Sequence, residues 1–131
     1  MKSLLETLQS GSGYLQERGV DDARLNMEHL IAMVLGCERI ELYLSFDRPM
    51  EERELEQLRL LLKRRGQREP LQHILGNVQF MGQEFICDSR ALIPRPETEE
   101  LVGTLLSRFK DASGPARVLD VGCGSGVIGI C

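Results

Sequence analysis

The sequence lacks the features that mark metal-binding and membrane proteins. Its cysteines form no Cys-x-x-Cys pair, and only two histidines accompany them, so we expect no zinc or other metal site. No apolar run is long enough to span a bilayer, and the first residues show no basic, apolar and small-residue leader. We therefore expect a cytoplasmic protein with reduced thiols and no membrane partner. The four cysteines are Cys37, Cys87, Cys123 and Cys131.

The chain also lacks an excess of basic residues. It carries 16 Lys and Arg against 20 Asp and Glu, for a net charge of −4. A nucleic-acid interface needs a basic face to neutralise phosphates, so we expect no direct nucleic-acid binding. Its 131 residues suit one modest domain, or a small domain plus a fragment of another.

Leucine spacing predicts helices over most of the first 75 residues. Gly11 and Gly13 weaken the first helix, Asp21 or Asp22 can cap the second, and Gly36 ends it. Together the helices predict a small antiparallel bundle. The predicted helices are Met1 to about Arg18, about Asp22 to Val34, a short one at Ile40–Leu44, Glu51–Arg65 and a single turn at Pro70–Leu75.

The helix Glu51–Arg65 ends in three consecutive cations, Lys63, Arg64 and Arg65. The cluster has two interpretations. It could contact an acidic partner, or it could be a solvated helix end that complements the helix dipole.

The pattern changes after Leu75. Two β-prone runs, Asn77–Phe80 and Glu84–Cys87, flank Met81-Gly82-Gln83 and predict a β-hairpin. Ala91–Pro94 is expected to be extended, because a residue before proline avoids the helical region. Pro96 suits the first turn of a helix that runs to Phe109.

A strand, a glycine-rich turn and a helix are predicted at the end of the sequence. Val118, Leu119 and Val121 indicate a short buried strand. Glycines at 122, 124 and 126 form the turn, and Val127–Ile130 begins an apolar helix. A strand, a glycine-rich turn and a helix in this order form the start of the nucleotide-binding site in a doubly wound α/β domain.

The turn is compatible with three interpretations. Gly124-Ser-Gly-Val-Ile-Gly129 fits the dinucleotide pattern G-x-G-x-x-G, which is weak evidence alone. Asp120-Val-Gly-Cys-Gly-Ser-Gly126 fits D-x-G-x-G-x-G better and resembles the first cofactor motif of S-adenosylmethionine (SAM) methyltransferases. Asp120 favours SAM, since a carboxylate repels a pyrophosphate but attracts the ammonium and sulfonium of SAM. The third interpretation is a plain tight turn in an unrelated α/β protein.

A second motif precedes this turn, in Leu92-Ile-Pro-Arg-Pro-Glu-Thr-Glu-Glu-Leu-Val102. Helix capping explains the proline and the acidic residues at a helix start. It does not explain Arg95, which lies between two prolines.

With these two motifs in order, and the pattern Gly76…Phe80…Gly82…Phe85 before them, the chain resembles the bacterial glutamine methyltransferases of peptide chain release factors. The resemblance implies an α+β protein: an antiparallel helical bundle at 1–75 that docks the release factor, a β-hairpin linker at 76–95, and the truncated start of a Rossmann-like SAM methyltransferase α/β domain at 96–131. The implied reaction methylates the side-chain amide nitrogen of a glutamine in the Gly-Gly-Gln loop of the release factor, during translation termination.

The resemblance also implies the cofactor, SAM, and a set of cofactor-binding residues. Arg95 and Thr98 match the linker that helps to close the pocket. The partner is the release factor, and the full-length protein is expected to be a monomer. The residues that match the cofactor loop are Gly122, Cys123, Gly124, Ser125 and Gly126.

The sequence departs from the family in lacking the catalytic Asn-Pro-Pro-Tyr segment; no Asn-Pro pair occurs. In the family that segment holds the weakly nucleophilic amide in line with the methyl group. We therefore assign no catalytic residue and expect this chain to be inactive alone. Two alternatives remain: a non-catalytic module that binds release factor, and a glutamine methyltransferase that acts on a ribosomal protein.

Overall fold

A computed structural model describes all 131 residues. The chain forms two compact units, Met1–Leu75 and Gly76–Cys131. The first unit is entirely helical. Its elements are α1 (Leu4–Glu17), α2 (Ala23–Leu35), a 3₁₀ helix (Arg39–Leu44), α3 (Glu52–Gly66) and α4 (Leu71–Leu75).

The predicted helices of the first unit are confirmed within a few residues at each end. α1 begins with a capping box, in which the Ser3 hydroxyl accepts from the Glu6 amide and the Glu6 carboxylate accepts from the Ser3 amide. The apolar faces of the helices meet in one core. Its buried side chains include Leu4, Leu8, Leu15, Met27, Leu30, Ile31, Leu42, Met50 and Leu58.

The start of α2 differs from the expectation. Asp22 occupies the N-cap position but makes no side-chain hydrogen bond to the helix. A capping side chain needs extended backbone, whereas Asp22 is left-handed with a φ of 51°. The prediction of an aspartate cap was therefore wrong. Asn26 instead donates its side-chain amide to the carbonyls of Asp21 and Asp22, and Gly36 ends the helix as predicted.

The cations at the end of α3 bind partners within the bundle. Arg64 forms a two-pronged ion pair with Glu69, with Nε 2.7 Å from Oε2. Arg65 donates from Nε to Oδ1 of the buried Asn26 at 2.7 Å. Arg65 is thus part of the fold, whereas Lys63 and Arg64 are exposed at the helix end, as the solvated-end interpretation expects.

The second unit contains the predicted hairpin and two helices. Its elements are β1 (Asn77–Phe80), β2 (Gln83–Ile86), α5 (Pro96–Arg108) and α6 (Val127–Ile130). The strands pair antiparallel, with Phe80 opposite Gln83 across the two-residue turn. Phe80, Val102 and Val127 are buried together, so hairpin, α5 and α6 share one small core.

The expected strand at Val118–Val121 is not formed. Val118, Leu119 and Val121 are 83–87% exposed, and the sheet of this chain contains β1 and β2 only. A strand exists through hydrogen bonds to a neighbour, and no segment pairs with these residues. The architecture is α+β, helix-rich with one small antiparallel sheet, and it does not confirm a Rossmann-like domain. No helix has the length and apolar character to cross a membrane.

Candidate functional site: the glycine loop and the Pro-Arg-Pro segment

The glycine loop has a backbone that only glycine adopts without strain. Gly122, Gly124 and Gly126 have φ values of 73°, 56° and 80°, all in the left-handed region. A Cβ at any of the three would meet no atom within 4 Å. The glycines are therefore required by backbone conformation, while the space around the loop stays open for a ligand to approach its amides.

Asp120 supplies an unsatisfied acceptor beside this loop. Its side-chain Oδ2 is buried and has no hydrogen-bond partner. Leaving such an acceptor unpaired costs about 1–3 kcal/mol, so a donor brought by a ligand would recover that cost. The ammonium and ribose hydroxyl groups of SAM are donors of this kind, and the residues present fit that cofactor.

The remaining loop residues are accessible. Gly122, Cys123, Gly124 and Ser125 are exposed, and Gly126 is partly buried. The Gly126 amide donates to the Cys123 carbonyl at 2.9 Å and closes the turn that leads into α6. Val127, next along the chain, is buried in one core with Phe80. The glycine-rich loop is therefore exposed along its length and anchored in the core at its end.

Arg95 and Thr98 lie at the start of α5. Arg95 is the N-cap residue, with extended backbone, and its amide carbonyl accepts from the Thr98 amide at 3.0 Å. Its guanidinium is 74% exposed and lies 3.7 Å from the Glu97 carboxylate. Such an exposed pair contributes little to stability, so the arginine is available to a ligand.

A cleft of about 330 Å³ joins parts of the two motifs. It is lined by Ser125 of the glycine loop and by Leu92 and Pro94 of the Pro-Arg-Pro segment, whereas Arg95 and Thr98 do not line it. The cleft is lined by Val78, Phe85, Ile86, Cys87, Asp88, Arg90, Ala91, Leu92, Pro94, Ser125 and Val127.

The polar side chains of the cleft are the Cys87 thiol, the Ser125 hydroxyl and the ion pair of Asp88 and Arg90. Burial raises the pKa of the Cys87 thiol, with a further increase from Asp88, so the group is a neutral thiol at pH 7. Arg90 holds Asp88 in a two-pronged contact, with Nη2 2.7 Å from Oδ2. The cleft is thus mainly apolar with one charged pair at its edge.

One contact in this unit is not predictable from sequence patterns. The amide of Met81, in the hairpin turn, donates to Oε1 of Glu99 on α5 at 2.6 Å. From its place in the sequence, Glu99 is expected only to favour the start of a helix. Its partner is distant in sequence, and no local pattern relates the two positions.

Comparison with known proteins identifies a family. The model of the PrmC N-terminal domain matches residues 6–76. This range covers more than half of the chain and ends at the boundary between the two units.

Curated relatives match almost the whole chain. The "release factor glutamine methyltransferase" of Geobacter sulfurreducens is 47% identical over 118 residues, 90% of this chain and 40% of the relative. The protein of that name from Chlorobaculum tepidum is 39% identical over 132 residues, 98% of this chain and 45% of the relative. The human "MTRF1L release factor glutamine methyltransferase" is 35% identical over 138 residues, 99% of this chain and 41% of the relative. The chain therefore spans less than half the length of these relatives.

Proposed function

The chain belongs to the family of the PrmC N-terminal domain, and we propose that it works in a SAM-dependent methyltransferase that modifies a glutamine side chain of a peptide chain release factor. The names of the relatives support both the reaction and the substrate. In this proposal the unit Met1–Leu75 docks the release factor, and the unit Gly76–Cys131 contributes the first part of the cofactor pocket.

The observation that carries the proposal is the buried, unpaired Oδ2 of Asp120 beside a loop of left-handed glycines. A carboxylate at this position disfavours a pyrophosphate and favours a cationic ligand. The dinucleotide interpretation needs the opposite charge preference. SAM meets the requirement, since it offers an ammonium and a sulfonium group and has no phosphate.

The residues of the chain would act by binding and orientation. Asp120 would accept a hydrogen bond from the cofactor, and the open backbone at Gly122 and Gly124 would let the cofactor approach closely. Arg95 and Thr98 would help to close the pocket. SAM supplies an electrophilic methyl group when bound.

Methyl transfer to an amide also requires that the amide nitrogen be held in line with the methyl group, because its lone pair is delocalised. The family performs this step with an Asn-Pro-Pro-Tyr segment, and no Asn-Pro pair occurs in this sequence. We therefore propose that the 131 residues alone bind SAM weakly and do not turn over. Incorporation of labelled methyl into a release factor by the purified chain would contradict this.

A SAM titration of the purified chain, followed by amide chemical shifts, tests the cofactor assignment. We expect shifts centred on residues 120–126, no competition from NAD, and a loss of affinity of about tenfold in Asp120→Asn, the effect of one charge-assisted hydrogen bond. Asp111→Asn, in an exposed loop, is the matched control and should bind as wild type. Tighter binding of NAD than of SAM would favour the dinucleotide interpretation.

A further inference from the structure

The turn of the hairpin leaves two backbone donors, the amides of Met81 and Gly82, outside the strand ladder. Met81 and Gly82 are its two central residues, with φ values of 50° and 72°, and the ladder closes at the pair of Phe80 and Gln83. This is the geometry of a type I′ turn, in which the amide of the first central residue has no partner in the ladder. Gly82 is exposed to solvent, whereas Met81 is partly buried, so the Met81 amide gains from an acceptor within the protein.

Glu99 provides that acceptor across 18 residues of sequence, with Oε1 2.6 Å from the Met81 nitrogen. The contact is partly buried and charge-assisted, so it is among the stronger hydrogen bonds of a protein. Glu99 lies in the first turn of α5, four positions after the N-cap Arg95. Its carboxylate reaches away from its own helix to the hairpin, which a capping role does not explain.

The same hairpin end is the centre of the small core of this unit. Phe80, adjacent to the turn, is completely buried and packs with Val102 of α5 and Val127 of α6. Val127 directly follows Gly126, the last glycine of the loop. The turn, the start of α5 and the end of the glycine loop are thus connected through three buried side chains and one hydrogen bond.

We propose that Glu99 is a positioning residue for the cofactor loop: by holding the Met81 amide, it fixes the hairpin turn against α5 and so fixes the core on which the glycine loop is anchored. The inference rests on the proposed function, since the property that Glu99 controls is the affinity of the loop for SAM. The core has three fully buried residues, and the other side chains packed on it are only partly buried, so one hydrogen bond is a substantial part of what holds the hairpin in place.

Four variants of the full chain test the proposal. Glu99→Ala removes the acceptor. Glu99→Asp keeps the charge at the helix start but shortens the side chain by one methylene, and Glu99→Gln keeps the length and a carbonyl acceptor. Glu100→Ala, the adjacent exposed residue, controls for loss of a negative charge in the same helical turn. Each variant is measured by amide exchange at Met81 and at Gly126, the loop residue whose amide donates a hydrogen bond, and by SAM affinity.

We expect Glu99→Ala and Glu99→Asp to speed amide exchange at Met81 and at the loop by about tenfold. Both variants should also weaken SAM binding by about tenfold. Each change is the effect of losing one charge-assisted hydrogen bond. Glu99→Gln, which keeps a neutral acceptor at the same reach, should be less impaired than Glu99→Asp in both measurements, and Glu100→Ala should match wild type. If Glu99→Ala does not fold, the comparison of Glu99→Asp with Glu99→Gln decides.

Three outcomes would overturn the inference. Unchanged exchange at Met81 in Glu99→Asp would show that the Glu99 carboxylate does not protect the Met81 amide. Faster exchange at Met81 with unchanged loop exchange would confine its effect to the turn. A Glu99→Gln chain as impaired as Glu99→Asp would show that the acceptor is not what matters. Failure of the wild-type chain to bind SAM would instead contradict the proposed function. The exchange measurements would still show whether Glu99 holds the hairpin turn and the loop in place.

Discussion

The side chain of Met27 on α2 packs directly onto the backbone of Gly11 on α1. A Cβ built on Gly11 would overlap the Sδ and Cε atoms of Met27, and both residues are buried. Gly11 is therefore a site of close approach between two helices. Gly13, two residues later, has nothing within 4 Å of the equivalent position.

These two glycines of one helix should respond in opposite directions to the same substitution. Gly13→Ala should raise the free energy of unfolding by about 0.5–1 kcal/mol, because alanine loses less backbone entropy in a helix. Gly11→Ala should lower it by about 1–3 kcal/mol, because the methyl group overpacks the core at Met27. Urea denaturation measures both. An equal increase in the free energy of unfolding of both variants would mean that α1 and α2 leave room for a methyl group at Gly11.

Glu28 should make the stability of the bundle depend on pH. Its carboxylate is 3% exposed and accepts from Arg39 at 2.7 Å and from Arg24 at 3.2 Å; it also accepts from the Tyr43 hydroxyl at 2.7 Å. Burial raises its pKa, but the hydrogen bonds from Tyr43, Arg39 and Arg24 outweigh burial and hold the pKa below the usual value. The stabilisation is then complete above the unfolded-state pKa of about 4.3 and is lost as the pH falls through the lower folded-state value.

Glu28→Gln should remove this dependence. We expect it to lower the free energy of unfolding at pH 7 by about 2 kcal/mol, less than for a fully buried pair because both arginines are partly exposed. It should also flatten the stability profile below about pH 5. Glu56→Gln, on the exposed face of α3, is the control and should keep the wild-type profile. A Glu28→Gln profile that still falls steeply with acid would assign the dependence to other carboxylates.

The basic end of α3 should show one structural cation and one dispensable cation. Arg65→Ala leaves Oδ1 of the buried Asn26 without its donor, and should cost about 1–2 kcal/mol of unfolding free energy. Lys63→Ala removes an exposed side chain and should change stability by less than about 0.5 kcal/mol. Thermal denaturation compares the two. Similar losses would indicate that net charge at the helix end, rather than the contact to Asn26, is stabilising.

Phe80 should be the least replaceable side chain of the second unit. It is completely buried, and Phe85 approaches its ring edge-on with centroids 6.4 Å apart. Phe80→Ala should cost about 3–5 kcal/mol and abolish slow amide exchange throughout Gly76–Cys131. Phe109→Ala, which alters a mostly exposed ring, should leave exchange close to wild type. Retained protection in Phe80→Ala would show that the core of this unit is centred elsewhere.

Local pattern was enough to predict most of the elements. Leucine spacing predicts the helices of the first unit, because apolar residues at a helical period form one face that must pack against the core. Gly82 between two β-prone runs located the hairpin, and Pro96 located the start of α5. Glycine at positions 122, 124 and 126 also suggested the loop whose backbone is left-handed.

The differences from expectation have two causes: partners distant in the chain, and backbone conformation that residue type alone does not determine. Val118–Val121 has the composition of a buried strand, but a strand needs a partner to pair with, and its apolar residues are exposed without one. Asp22 has a capping side chain on a backbone that is left-handed. The contact from Met81 to Glu99 depends on the packing of α5 against the hairpin. The role of the loop as a cofactor site stays a prediction.

Photochemical cross-linking tests the central claim most directly, because it detects a weakly bound cofactor and locates it. The chain is irradiated with methyl-labelled SAM, digested and analysed by mass spectrometry. We predict label on the peptide that contains Asp120–Gly126, reduced in Asp120→Asn and unchanged in Asp111→Asn. Label confined to Met1–Leu75, or equal labelling in Asp120→Asn, would contradict the assignment of the glycine loop as the cofactor site.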